Sequence, residues 1–377
     1  MIETSNPNLF TPVQLGSLRL EHRVIMAPLT RSRSIQPDSV PGDLMRTYYE
    51  QRASEGGLII SEATNISLTS RGWLGAPGLY SDEQVKGWQA ITAAVKAKGG
   101  RMVAQLWHTG RSSHTAMTGG AQPVTASVNE SYWKNPDHLV SIPGGWAESS
   151  PHRALTVAEI AEIVQDYRKA AERALDAGFE AVELHAANGY LMDQFLQDGS
   201  NHRTDQYGGS LENRFRFLSE VLNALISVCD SDRVAVRLGP GGTWNGISDS
   251  DPAALFSYVA EQLNQFDLAY LHLIEPRVGG SITTHPEKGT AAAQQLRPIF
   301  KGKLISAGGF EPETAETAIE EGLVDAVAFG RYFVSNPDLV HRIREHLPLS
   351  EYDRDTFYTF DARGYTDYPA YDAVLVA

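Results

Sequence analysis

Eight short runs of the chain, at 24–26, 58–62, 102–106, 181–185, 234–238, 270–274, 304–307 and 326–329, are almost continuously apolar. A strand with one face in water alternates apolar and polar positions. Continuous runs instead predict strands buried on both faces. Between the runs, apolar residues recur at helical spacing, as in Ile160, Ile163, Val164 and Tyr167. These stretches carry start and stop signals. Ser81 with Gln84 and Thr156 with Glu159 read as capping boxes. Asp251-Pro252 and Glu311-Pro312 read as N-caps followed by a first-turn proline. Gly99, Gly178 and Gly322 read as C-terminal stops.

Eight strand–helix alternations predict a parallel sheet, and eight is the number that closes a barrel. A doubly wound open sheet would normally carry G-x-G-x-x-G after an early strand, and the chain has none. The expected architecture is α/β: a single (β/α)8 barrel occupying 1–377 as one domain, with no internal repeat and no linker-like shift in composition. The segment 111–153 is long and irregular, with Gly119-Gly120, Pro123, Pro143 and Gly144-Gly145. It follows the third strand and is expected to fold over the barrel mouth as a capping loop or hairpin, since loops of that length in a compact domain are usually functional.

Charge narrows the partners. The 377 residues carry 32 Lys and Arg against 46 Asp and Glu, a formal charge of −14. That argues against nucleic acid or an anionic membrane as a partner, and any anionic ligand needs a local basic pocket. The single cysteine, Cys229, excludes an internal disulfide, and no Cys/His zinc spacing is present, so no metal is expected. No apolar run is long enough to span a bilayer, and the first residues lack the basic and apolar regions of a signal peptide. A cytoplasmic protein, monomeric or a small homo-oligomer, is the expectation.

A barrel of this kind does its chemistry where strands end and the following loops begin. The first strand is followed by A-P-L-T-R (27–31), the second by E-A-T-N (62–65), and the third by Q-L-W-H-T-G-R (105–111). The fourth ends in H-A-A-N-G-Y-L (185–191), the fifth in R-L-G-P (237–240), and the sixth in H-L-I-E-P-R (272–277). The seventh runs into S-A-G-G-F (306–310) and the eighth into F-G-R (329–331). Gly308, Gly309 and Gly330 let backbone N–H groups approach an anion, the helix after Glu311 points its positive end there, and Arg331 adds a bidentate cation. Taken alone, these glycines either cradle a phosphate or only make tight turns. His185 and Asn188 form a pair of neutral donors for an oxygen that gains charge, with Tyr190 close enough to deliver a proton; the other reading is a core histidine with a satisfied amide neighbour. Gln105 and Arg237 suit a planar heterocycle, although Arg237 also fits an ordinary ion pair. Trp73 and Trp107 read equally as core or as pocket wall. A metal site on His108, His185 and His272 lacks both His-x-His spacing and a carboxylate cluster.

The ordered set of strand-end motifs, together with N-H-R-T-D-Q-Y-G-G-S-L-E-N-R (201–214), resembles the Old Yellow Enzyme family of flavin-dependent ene-reductases. It is similar to the bacterial members that reduce nitrate esters, N-ethylmaleimide and morphinone, and to the plant oxophytodienoate reductases. The likeness runs from L-F-T-P-V-Q-L-G at 9–16 to G-Y-T-D-Y-P at 364–369. It implies a non-covalent FMN at the barrel mouth, reduced by NADPH or NADH and reoxidised by an activated alkene. It implies that Pro28, Leu29 and Thr30 line the flavin. Ala63 and Gln105 then hold its pyrimidine edge, and Arg237 faces the side that becomes anionic on reduction. Ala307, Gly308, Gly309, Gly330 and Arg331 take the phosphate. His185 and Asn188 bind the carbonyl or nitro oxygen of the substrate, hydride passes from flavin N5 to the β-carbon, and Tyr190 protonates the α-carbon. Trp73, Trp107 and Tyr358 complete the substrate pocket. Trp73 stands where several bacterial relatives carry Tyr, the segment 111–153 matches only around Q-P-V-T-A-S, and the E-P-R at 275–277 leans towards the plant enzymes. The competing assignments are another flavin barrel dehydrogenase and a non-catalytic flavin- or phosphate-binding barrel.

Overall fold

The computed structural model describes residues 6–280 and 282–371. Eight parallel strands close a barrel: β1 (Val24–Met26), β2 (Leu58–Ile60), β3 (Arg101–Trp107), β4 (Ala181–Ala186), β5 (Val234–Leu238), β6 (Tyr270–Ile274), β7 (Leu304–Ala307) and β8 (Ala326–Phe329). Each pairs with its successor, and β8 returns to β1. The eight helices around them are α1 (Asp43–Arg52), α2 (Asp82–Ala97), α3 (Val157–Asp176), α4 (Leu211–Cys229), α5 (Pro252–Leu263), α6 (Ala291–Leu296), α7 (Pro312–Glu320) and α8 (Leu339–Arg344). The (β/α)8 expectation holds, and every strand lies where the apolar runs placed it. β2 stops at Ile60 rather than 62, because the Glu62 carboxylate turns to accept the N–H groups of Arg31 and Ser32.

The continuous apolar runs divide by alternate residues into two layers. Val24, Met26, Ile59, Met102, Leu106, Val182, Leu184, Val236 and Leu273 face outwards and pack with the helices. Ile25, Leu58, Ile60, Val103, Ala181, Ala235, Tyr270, Ile305 and Ala326 face into the barrel. The same period continued towards the carboxyl ends points Gln105, Glu183, His185, Arg237 and His272 into the lumen. So the interior is apolar at its base and polar at its mouth.

The base is plugged by a hairpin absent from the sequence reading, Val13–Leu15 against Leu18–Leu20, whose leucines join the interior cluster. Its turn requires glycine: Gly16 has φ +55°, and a Cβ there would lie 2.0 Å from the Asp232 carbonyl oxygen.

Helix signals act as expected. Ser81 and Gln84, and Thr156 and Glu159, cap reciprocally, and the Asp251 side chain accepts from the Ala254 N–H. The segment 111–153 does form a cap. Val124–Thr125 pairs in parallel with Arg153–Ala154 at its base, and Leu139–Ile142 forms a hairpin with Gly145–Glu148 over the mouth. Arg203, from the 201–214 run, clamps that base by donating to the carbonyls of Ala126 (3.1 Å) and Leu155 (2.6 Å). Among the described residues, no helix is long and apolar enough to cross a membrane.

Candidate active site

Every residue named above for the flavin or the substrate lines one cavity of about 430 Å³ at the carboxyl ends of the strands, whereas His108 and His272 do not. That size is ordinary for a cofactor or substrate pocket. The cap supplies Asp137, Leu139 and Trp146 as a roof, which the sequence reading did not reach.

The floor on the β3–β6 side is a polar cluster. Glu183 is fully buried and accepts from Gln105 Nε2 at 2.7 Å and from His272 Nδ1 at 2.9 Å. Burial pushes its carboxyl up, but His272, Arg237 and the Gln105 bond outweigh this and leave it below the usual range, so it is ionised. Burial lowers His272, which stays neutral despite the carboxylate. Arg237 is also buried, and desolvation lowers it to about 10, still charged at neutral pH. Its guanidinium makes no hydrogen bond, and no carboxylate lies within ion-pair distance of it, among the described residues; Nε is buried without a partner. A buried cation with unused donors is costly unless a ligand satisfies it. The ion-pair reading of Arg237 is therefore not what the structure shows.

The opposite wall is the glycine cradle. Gly308 and Gly309 have φ +117° and +68°, and a Cβ on Gly330 would come within 3.3 Å of Leu29. The left-handed conformation disfavours a side chain at Gly308 and Gly309, and the close approach of Leu29 crowds one at Gly330, which leaves backbone groups facing the cavity. Arg331 is held beside them by Tyr352 (3.2 Å) and Thr283 (3.0 Å). A second cavity of about 260 Å³ shares Gly309, Gly330 and Arg331. One part of the earlier reading changes: α7 does not offer a bare positive end. Glu311 and Thr314 form a capping box on it, and the Glu311 carboxylate also accepts from Tyr332. That leaves the glycine backbone and the Arg331 guanidinium as the groups at this wall.

Between floor and cradle stand His185, Asn188 and Tyr190. The His185 ring lies edge to face with Tyr190 at 5.2 Å and nearly parallel to Trp107 at 6.5 Å, and Trp107 meets Tyr190 edge-on at 4.9 Å. Burial, with the Arg237 charge beside it, holds His185 well below its usual pKa, so it is a neutral imidazole with one N–H to donate. Burial lifts Tyr190 well above the phenol range, with Asn245 and Trp73 pulling slightly the other way, so its O–H is intact at neutral pH. The turn between them suits its residues. Asn188 takes φ +59°, which Asn tolerates, and its carbonyl accepts from Asn245 Nδ2 at 2.8 Å. Asp193 accepts the Gly189 N–H at 2.8 Å, and Gln194 Nε2 donates to the Gly189 carbonyl at 2.7 Å. Gln194 Oε1 accepts from Thr125 at 2.9 Å, which ties this turn to the base of the cap.

Trp73 resolves as pocket wall and packing residue together. It meets Trp146 at 5.1 Å and Tyr358 at 5.7 Å. The segment carrying Tyr358 is drawn over the mouth by buried arginines: Arg31 donates to the Phe357 (3.2 Å) and Gly364 (2.7 Å) carbonyls, and Arg33 to the Phe357 (2.6 Å) and Thr356 (2.8 Å) carbonyls.

The unspent donors of Arg237, the free Oε1 of Gln105, and a glycine cradle with its own arginine fit a group that has a planar heterocycle at one end and a phosphate at the other. A flavin mononucleotide is such a group, its ring system meeting both donors and an acceptor and its phosphate the cradle. The comparisons agree. The model of the NADH:flavin oxidoreductase / NADH oxidase family matches residues 8–350. Morphinone reductase superposes with a TM-score of 0.89 at 49% identity, covering 98% of each chain. The old yellow enzyme homologue from Zymomonas mobilis gives 0.89 at 42% identity, covering 96% of this chain and 99% of that one. The 12-oxophytodienoate reductase 7 of Oryza sativa subsp. japonica is 43% identical over 376 residues, 96% of this chain and 94% of that protein. The chain belongs to the NADH:flavin oxidoreductase / NADH oxidase family, the Old Yellow Enzyme group, and is an NAD(P)H-dependent flavin oxidoreductase.

Proposed function

We propose that the protein is an ene-reductase acting on activated C=C bonds of α,β-unsaturated carbonyl or nitro compounds. The observation that carries this reading is a neutral His185 packed against a protonated Tyr190 in the same cavity as Arg237 and the glycine cradle. A bound FMN supplies hydride storage, filled by NADPH or NADH and emptied into an alkene. The chain's own residues do the rest. Pro28, Leu29, Thr30, Ala63, Gln105 and Arg237 hold the ring system, and Ala307, Gly308, Gly309, Gly330 and Arg331 hold the phosphate. His185 and Asn188 bind the substrate oxygen. As the β-carbon gains hydride, negative charge moves onto that oxygen, and losing one such donor typically costs about 10²–10³ in rate. Tyr190 then gives its proton to the α-carbon, a contribution of roughly 10²–10⁴. Trp73, Trp107 and Tyr358 shape the space in which the substrate lies.

Tyr190→Phe tests the assignment. Reduction of the flavin by NADPH needs no acid, so that rate should stay within about twofold of the parent, while reoxidation by cyclohexenone should fall by about 10²-fold or more. Stopped-flow measurement of each half-reaction separates them. Equal loss in both would reduce Tyr190 to a structural role.

A further inference from the structure

Glu183 belongs to no step of the reaction proposed above, and it is an expensive residue. A carboxylate with no solvent exposure costs several kcal/mol unless its partners compensate, and an apolar side chain would fill the lumen at lower cost. What it does to its neighbours is specific. A carboxylate is an acceptor only, so the end of the Gln105 amide that meets it must be the NH₂ end. That fixes which way round the amide sits and leaves Oε1 with no partner among the described residues, free to accept an N–H from a ligand. His272 Nδ1, facing the other oxygen, must likewise be the protonated nitrogen. Strand register builds the cluster: Glu183 is paired with Gln105 across β4–β3, His185 with Arg237 across β4–β5, and Arg237 with His272 across β5–β6. Glu183 is also the carboxylate whose charge acts on Arg237, yet it lies beyond ion-pair distance. It therefore offsets the Arg237 charge without occupying its donors. With His272 neutral, the cluster carries one positive and one negative charge.

We infer that Glu183 is a positioning residue that fixes the Gln105 amide for ligand recognition and, by balancing Arg237, limits how strongly the site favours the reduced, anionic flavin over the oxidised one. The inference rests on the flavin reading proposed above.

Two substitutions separate charge from positioning, each read on apoprotein reconstituted with FMN. Glu183→Gln keeps the shape and removes the charge, leaving Arg237 unbalanced. The reduced cofactor should then gain about tenfold in affinity relative to the oxidised one, a positive shift of about 30 mV for a two-electron couple. Glu183→Asp keeps the charge but withdraws it from Gln105. The potential should stay near that of the parent, while oxidised FMN binds about fivefold or more weakly, the order of one lost hydrogen bond between neutral groups. Photoreduction against an indicator dye gives the potential, and flavin fluorescence gives the affinity. A purely structural role would weaken FMN in both variants and leave both potentials alone; that result, or a parent potential in Glu183→Gln, overturns the inference. If Glu183→Gln does not fold, Glu183→Asp decides, since parent affinity there overturns the positioning role. A parent protein that takes up no FMN would overturn the flavin reading itself, and the inference with it.

Discussion

His108 sits one residue beyond β3, buried at 1% exposure, with Nδ1 accepting the Gly110 N–H at 3.1 Å and Nε2 unpartnered. Burial lowers it from 6.5 to about 3. The folded pKa lies below the unfolded one, so the stability it contributes is present above about 6.5 and is lost as pH falls towards 3. Asn at 108 keeps an acceptor for the turn and removes the titration. Between pH 7 and pH 4.5, the parent should lose about 2 kcal/mol more unfolding free energy than His108→Asn, measured by urea denaturation at both values. Equal losses would mean that His108 is not held neutral. Arg331 gives a second prediction at this scale. It is the one fixed cation proposed for the phosphate, so Arg331→Ala should weaken FMN by about tenfold or more, while protein saturated with FMN turns over nearly as the parent does. Unchanged affinity in a fluorescence titration would remove it from the phosphate site. Glu183 and His272 show why some of the site was hidden in the sequence. A polar residue inside an apolar run reveals that the lumen turns polar at that height, but its partner comes from another strand 89 positions away.

The cap is an element whose existence the sequence disclosed and whose content it did not. Pro143 and Gly144-Gly145 marked the segment as irregular, and the hairpin of Leu139–Ile142 with Gly145–Glu148 turns at Pro143-Gly144. That Trp146 would come down on Trp73 depends on the Leu74 N–H donating to the Ser141 carbonyl at 2.9 Å, a backbone bond that leaves no trace in side-chain identity. Tyr358 entered the pocket only through the family resemblance, because Arg31 and Arg33 hold the strap that carries it through carbonyls. The hairpin at Val13–Leu20 escaped because three-residue strands with one buried face are too short for a periodic signal. Trp73→Ala tests the cap and the loop beneath it together. Its two ring pairs are worth about 1–3 kcal/mol together beyond burial, and the lost burial of a half-buried ring adds about 1 kcal/mol, so the variant should lose about 2–4 kcal/mol in melts. Its rate on a bulky 3-substituted enone should rise relative to cyclohexenone, with FMN binding unchanged. A large stability loss with no change in that ratio would make Trp73 packing alone.

At the scale of the whole molecule, the barrel was legible because burial on both faces writes itself as continuous apolar runs, and because helix caps are local chemistry. Closure was legible only as a count of eight, and the structure supplies it through the pairing of β8 with β1. The site was legible as a set of strand ends. What assembles it is the common height at which those ends meet, and so residues from 27 to 358 line one cavity. The anionic surface implied by a charge of −14 leaves Arg237 and Arg331 as local cations in an acidic protein. The most direct test of the account is an anaerobic double titration of the purified yellow protein. NADPH should bleach the flavin at one equivalent per bound FMN, and one equivalent of cyclohexenone should then restore the colour and yield cyclohexanone. A flavin that bleaches but is not reoxidised by any activated alkene, or a protein that binds no flavin, would contradict it.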